Sequence, residues 1–300
     1  MLAKHRGLTT KKKLDEFLNP KIEEILKISL TDIEKRTDRV IRAIKNKEKM
    51  VVYSDYDADG INASAIMWET LYDIGADIMP YVPHRIKEGY GLAIGAIEEL
   101  AKQGVKLIIT VDHGVTAVAQ VEAAKKLGVD VVITDHHVLP KNLPKPYALV
   151  HTTNVCGAGV SWRFCWEIIS KFKPDYKEEL IKKLELAAIA TIADLVPLVG
   201  ASRAIFKIGL EKLQKTNRPG LLCLMRNSNV TTVGTYEIGH ILAPRINAMG
   251  RIEHGMDALR LICAKNMKQA QSLAHLLSKT NSKRQDLTTD AVGSAIKMVD

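Results

Sequence analysis

Aromatic residues make up only 5% of this 300-residue chain, and its four cysteines form no CxxC pair. The first shortage leaves too few rings for an extended base-stacking groove. The second leaves neither a disulfide scaffold nor a cysteine-type zinc site, so Cys156, Cys165, Cys223 and Cys263 read as reduced, partly buried thiols of a cytoplasmic protein. No run of about 18 or more apolar residues is present, which argues against a transmembrane helix and against a membrane partner. The N-terminus, MLAKHRGLTTKKKLDEF, is basic but has no apolar stretch behind it, unlike a secretory signal. Proline is absent from Met256 onwards, and Gly293 is the only glycine after Gly255, so little there interrupts a helix. Internal repeats and low-complexity tracts are also missing.

What is present is an ordinary hydrophobic fraction of 46%, enough for a sizeable core, and a net charge of +9 that is unevenly spread. Residues 1–50 carry 14 Lys+Arg against 8 Asp+Glu, residues 51–150 carry 8 against 13, and residues 201–300 carry 15 against 7. An acidic segment lies between two basic ones. The basic parts suit a polyanion if something cationic neutralises the acidic middle; solvated Lys-rich helix faces would give the same charge.

The length allows one large domain or two smaller ones. The spacing of apolar positions predicts helices over residues 15–48. A short apolar run, Met50–Tyr53, then reads as a strand. It is followed by a helix in INASAIMWETLYDIG, a second strand in ADIMPYVP, a helix in LAIGAIEELAKQG, and a strand in VKLIITVD. A helix in AVAQVEAAKKLG and a strand in VDVVITD come next. Strands alternating with helices of this length predict an α/β fold with a parallel sheet flanked by helices. Residues 160–218 read as mainly helical, 219–255 as containing turn residues, and the chain from about Met256 as helical almost to the end, with no C-terminal glycine cap before Asp300.

The three clearest strands end alike. After Met50–Tyr53 come Asp55, Asp57 and Asp59; after VKLIITV come Asp112 and His113; after VDVVIT come Asp135, His136 and His137. An open parallel sheet binds ligands beyond the carboxyl ends of its strands, so all three endings deliver acid or imidazole to one edge. Crowded carboxylates without basic partners raise one another's pKa. A divalent cation removes that conflict. Asp with His suits Mn²⁺, oxygen-rich sites also suit Mg²⁺, and this many acids suffices for two ions. Each piece alone has a plainer reading. An Asp after a strand is often a helix cap. DYDADG is not an EF-hand loop, because Ile66 stands where that loop needs Glu.

SDYDADG, TVDHG and TDHH resemble, in order and spacing, the motifs of the DHH phosphoesterase superfamily. FLNP, VPHRIKEGYGL, CGAGVSW, LAAIATIADLVPL and APRINAMGR are similar to its RecJ-type branch, the single-strand-specific 5′→3′ exonucleases; the resemblance runs from about Leu14 to about Asp290. It implies metal ligands at Asp57, Asp59, Asp112, His136 and Asp194, holding two ions, Mn²⁺ or Mg²⁺. His137 matches the histidine that contacts the scissile phosphate. Asp55 is an additional acid grouped with it as catalytic, with a role in ligation, orientation or hydrogen bonding to water. Tyr53 stands where many superfamily members have His, which implies weaker metal binding at the first site. Arg85 and Tyr90, with Arg245, Asn247 and Arg251, fall in segments that lie near the nucleic acid's 5′ end. CGAGV opens a helix and either cradles phosphate or forms a tight turn packed on the sheet.

The resemblance therefore implies metal-dependent phosphodiester hydrolysis on single-stranded DNA, in DNA repair and recombination. A single-strand-binding protein or a helicase would be further partners. It divides the chain into an N-terminal helical segment (1–48), the catalytic domain (49–255) and a connecting helix (256–300) towards a second domain. Two other readings compete: hydrolysis of short oligonucleotides, cyclic dinucleotides or pyrophosphate, and a non-catalytic replication scaffold. The scaffold sits poorly with Asp or His at all five matched ligand positions.

Overall fold

The computed structural model describes residues 5, 7–30 and 33–299; the parts of the expected N-terminal helical segment at 1–4, 6, 31 and 32, and Asp300, lie outside the described residues. Helices α1 (Lys11–Leu18), α2 (Ile22–Leu26) and α3 (Ile33–Lys45) precede strand β1 (Lys49–Ser54). Then come α4 (Ala58–Asp73), β2 (Ile78–Tyr81), α5 (Arg85–Glu88), α6 (Ile94–Lys102), β3 (Val105–Val111), α7 (Val118–Lys126), β4 (Asp130–Asp135) and β5 (Ala148–His151). The rest is helical: α8 (Gly157–Phe172), α9 (Lys177–Lys182), α10 (Leu184–Ala193), α11 (Gly200–Leu213) and α12 (Pro219–Asn227). A π-helical segment (Glu237–Leu242) leads into α13 (Ala243–Ile252), α14 (Gly255–Ile262) and α15 (Met267–Val299).

The sheet is wholly parallel in the order β2-β1-β3-β4-β5. Side chains alternate across it, so each strand feeds two cores. Met50, Val52, Leu107, Ile109 and Val132 join the larger core with α4, α8 and α10, whereas Val51, Tyr53, Ile108, Val131 and Ile133 join a smaller one with α6 and α7. Both faces are covered, which is why the central strands read as continuous apolar runs. Ile25, Val40 and Ala43 from the N-terminal helices, and Ala258, Ala270 and Leu277 near the other end, belong to that larger core.

Two features depart from the sequence reading. The edge strand β5 was not expected, because four residues of alternating burial are too few to show a period. Residues 219–255, which read only as containing turn residues, are largely helical. Pro219 and Pro244 sit in the first turns of α12 and α13, where a missing N–H loses no hydrogen bond.

A buried charge cluster ties the helices behind the sheet edge. Glu69 of α4 accepts hydrogen bonds from Lys183 Nζ (2.9 Å) and from Arg218 (2.9 and 2.7 Å), and Arg218 Nε donates to Glu185 of α10 at 2.6 Å. Burial would raise the Glu69 pKa, but the Arg218 and Lys183 contacts outweigh it and hold it at about 2. Helix α4 begins at Asp57 and α10 ends at Asp194, so the cluster clamps two acid-bearing helices at their far ends.

Candidate metal centre

The carboxyl ends of β1, β3 and β4 bring acids and imidazoles to one edge, as the strand endings predict. Asp57 caps α4, its carboxylate accepting from Gly60 N at 3.0 Å, and Asp59 lies buried in the first turn of that helix. Asp112 follows β3 with φ at +67°, a left-handed conformation that Asp tolerates better than most residues. Asp194 caps the C-terminus of α10 and comes from behind the sheet.

These groups converge on the His136 imidazole. Its Nε2 lies 3.0 Å from Asp112 Oδ1, 3.6 Å from Asp59 Oδ2 and 3.7 Å from Asp194 Oδ2. Burial, then the neighbouring His137 charge, pull the His136 pKa down to about 4, so the ring is neutral and offers a lone pair. Asp112 Oδ1 is buried and has no hydrogen-bond donor among the described residues despite that short approach. Burial and mutual repulsion raise the carboxyl groups: Asp55 to about 7, Asp59 to about 8, Asp194 to about 6, and Asp112 well above the ordinary range.

Three sets bring one ligand atom from each member within 4.8 Å of one another: Asp112 with His136 and His137, Asp59 with His136 and Asp194, and Asp55 with Asp57 and Asp112. Asp112 and His136 each belong to two sets. Oxygen and imidazole donors around an unpartnered buried oxygen fit hard or borderline divalent cations, and the shared residues fit two adjacent ions. The site is thus able to hold the two-ion arrangement that the strand endings suggest.

Around these groups is a supporting layer that sequence reasoning missed in part. Asp135 Oδ1 accepts from the backbone N–H of His136 (2.7 Å) and of His137 (3.1 Å) and from His137 Nδ1 (2.8 Å). Its other oxygen accepts from Val115 N at 3.0 Å. Burial pushes its pKa up, but the His137 and Val115 hydrogen bonds prevail and hold it at about 2, while Asp135 in turn raises that of His137. An acid directly before two histidines at a strand end was the available signal. Strand β5 takes part too, because His151 Nε2 donates to the His137 carbonyl at 2.7 Å.

CGAGV does not cradle a phosphate with its first N–H groups. Gly157 N and Ala158 N each donate at 2.7 Å to the two oxygens of Asp59. A Cβ on Gly157 would lie 2.5 Å from Asp112 Oδ1, so this approach requires glycine. Tyr53 is buried between Tyr81 and His113 and belongs to the smaller core, outside the metal sets.

The expected nucleic-acid residues divide. Arg85 lies 5.4 Å over the ring of Tyr56, and exposed Tyr90 meets the same ring edge-on at 6.2 Å. Tyr56, between Asp55 and Asp57, is therefore the centre of this group, and sequence reasoning had not singled it out. Arg251 is exposed and its charge acts on Tyr56. Arg245 is more committed, one nitrogen donating to Ile241 O at 2.6 Å. Asn247 Oδ1 accepts from Ala58 N at 2.7 Å and so helps to hold the start of α4.

Comparison with known proteins agrees with this geometry. The family model "DHH family, N-terminal domain" matches residues 49–193. The single-stranded-DNA-specific exonuclease RecJ of Bacillus subtilis is 36% identical over 98% of this chain, and the match covers 38% of that relative. The crystal structure of an exonuclease RecJ bound to manganese superposes with a TM-score of 0.83 at 31% identity, covering 91% of this chain and 71% of that one. RecJ from Thermus thermophilus in complex with Mn²⁺ gives the same TM-score at 29% identity, covering 97% and 43%. The chain spans roughly two fifths to a half of the length of the curated relatives it matches. In sequence, fold and the placing of its acids at the sheet edge, the chain belongs to the DHH phosphoesterase superfamily, in its RecJ-type branch.

Proposed function

We propose that the protein is a metal-dependent phosphodiester hydrolase that removes nucleotides from the 5′ end of single-stranded DNA, acting in the cytoplasm in DNA repair and recombination. The observation that carries this reading is the His136 nitrogen faced by three carboxylate oxygens, one of them the unpartnered Asp112 Oδ1. The RecJ relatives are single-strand-specific by name, and two solved ones hold manganese.

Asp57, Asp59, Asp112, His136 and Asp194 would hold two ions, Mn²⁺ or Mg²⁺, and Asp55 completes the set with Asp57 and Asp112. When bound, the ions supply Lewis acidity to the phosphoryl oxygens and make water a better nucleophile near neutral pH. Within the chain, Asp135 fixes the His137 ring through Nδ1 and favours its protonated form, leaving Nε2 as a donor to a non-bridging phosphate oxygen. Arg85, stacked on Tyr56, supplies a charge for the terminal phosphate, with Tyr90 and Arg251 beside it. Residues 49–255 form the catalytic domain in this reading, with 1–48 and 256–300 as flanking helical segments. A single-strand-binding protein or a helicase would be the natural partners for delivering the strand.

The test is digestion of 5′- and 3′-labelled single and double strands with Mn²⁺, Mg²⁺ or EDTA at two salt concentrations, with pyrophosphate and a cyclic dinucleotide as further substrates. Mn²⁺-dependent release of nucleotides from the 5′ end of single strands is expected. It should fall with salt at a logarithmic slope of roughly −0.7 per phosphate contact. Turnover of the small phosphates alone would overturn the reading.

A further inference from the structure

We propose that Tyr236 and His240 form a stacking platform for a nucleobase of the single strand as it runs past the metal centre; this rests on the nuclease reading above. Aromatic residues are scarce in the chain, yet these two rings lie together on the surface. Tyr236 is 64% exposed, His240 is exposed, and their centroids are 4.8 Å apart with planes at 41°. Tyr236 immediately precedes the π-helical segment, and His240 lies one wide turn into it. The pair is therefore held on regular structure. Buried Ile238 and Leu242 anchor that segment, and Glu237 fixes its start by accepting from Gly234 N at 2.9 Å.

The position of this segment suggests what the rings meet. At one end, Gly239 faces Ile192, so that a Cβ there would lie at ordinary contact distance, 3.4 Å, from that side chain; Ile192 is in the last turn of α10, which is capped by Asp194. At the other end, α13 reaches the β1–α4 loop: Asn247 holds Ala58 N, and Gly250 packs on the Tyr56 carbonyl. Residues 236–252 thus run from the helix that supplies Asp194 to the loop that supplies Asp55 and Asp57, as one wall beside the acids. Along that wall lie Arg251 and Arg245, then His240 and Tyr236. Cations followed by exposed rings match a polymer of phosphates and bases: the charges follow the backbone and the rings take a base face, whatever the base. Leu195, next to Asp194 at this end of α10, is 86% exposed with φ at +56°.

The experiment measures binding of the 300-residue chain to a fluorescent single-stranded 12-mer and to versions carrying one abasic site at each position in turn, with Ca²⁺ in place of Mn²⁺ to limit cleavage. Tyr236→Ala should weaken the intact strand roughly 5- to 150-fold, the range of one lost base–aromatic stack. It should leave unchanged the strand whose abasic site falls at the platform, and Tyr236→Trp should restore the base-dependent part. His240→Ala should affect the same position. Equal weakening for intact and every abasic strand, or no weakening at all, would overturn the platform. Mn²⁺-dependent digestion by the unaltered chain is run alongside. Cleavage without a base-dependent effect of Tyr236→Ala sinks the platform alone; a base-dependent effect without cleavage keeps the platform and sinks the nuclease reading.

Discussion

Asp135 Oδ1 takes three hydrogen bonds from the two residues that follow it, and the one from His137 Nδ1, at 2.8 Å, fixes which nitrogen of that ring is left to act. Asp135 is itself placed outside the metal sets. Asp135→Asn should leave the ligands in place but release the ring, since an amide holds the proton on Nδ1 poorly. Supporting carboxylates of this kind typically contribute about 10- to 100-fold to metal affinity or activity. Single-turnover cleavage at saturating Mn²⁺ reads the effect, and an unchanged rate would show that the His137 orientation does not matter.

Asp112 should reveal a conflict between stability and function. Its Oδ1 is buried, unpartnered and crowded by acids. Asp112→Asn should therefore raise the thermal midpoint of the metal-free chain, by about 2–4 °C for each kcal/mol gained. The same variant should lose Mn²⁺-dependent hydrolysis, together with most of the midpoint increase that Mn²⁺ gives the unaltered chain. Paired melting curves with EDTA and with Mn²⁺ are the check; a lower metal-free midpoint would mean that the amide finds no better environment than the acid.

Arg85 should sense the end of the strand. It is exposed and stacked on Tyr56 next to Asp55. Arg85→Ala should weaken 5′-phosphorylated single strands by roughly 1.5–3 kcal/mol, the usual loss for a charged hydrogen bond, and unphosphorylated strands by less. Equal weakening of both would assign Arg85 a general electrostatic role.

The Glu69–Arg218 clamp gives stability a defined pH dependence. The Glu69 pKa is depressed from 4.5 to about 2. Its contribution is therefore fully present above pH 4.5 and is lost as pH falls through about 2. Arg218→Ala leaves Glu69 with Lys183 as its remaining cationic partner and should destabilise the chain at neutral pH by less than the roughly 3–5 kcal/mol of a fully unpaired buried charge. Urea midpoints at pH 7 and pH 3 should show the gap between the two proteins narrowing in acid. A constant gap would mean that Arg218 acts through packing alone.

Much of the centre was legible because it is local. Each strand ending carries its acids within a few residues, and the nearly continuous burial of β1, β3 and β4 marks them as central strands of one parallel sheet, whose carboxyl ends share an edge. Asp194 was legible only through resemblance: it caps a helix, and nothing in IADLVP tells that this cap meets the sheet edge. The use of CGAGV, the Asn247 bond to Ala58 and the Tyr56–Arg85–Tyr90 group all depend on packing between residues far apart in the chain. Patterns within one segment carry no record of such packing.

The bonds from Gly157 and Ala158 to Asp59 span almost a hundred residues. An unfolded chain cannot bring these ligands together, so it should bind Mn²⁺ far more weakly than the native chain does. By mass action, each tenfold rise in free ion above the dissociation constant then adds about 1.4 kcal/mol to the native state for each ion bound. A melting midpoint that climbs with the logarithm of Mn²⁺ concentration would report assembly of the centre with no nucleic acid present. Replacing Gly157 with Ala should flatten that climb, because the crowded acids could no longer close around the ion.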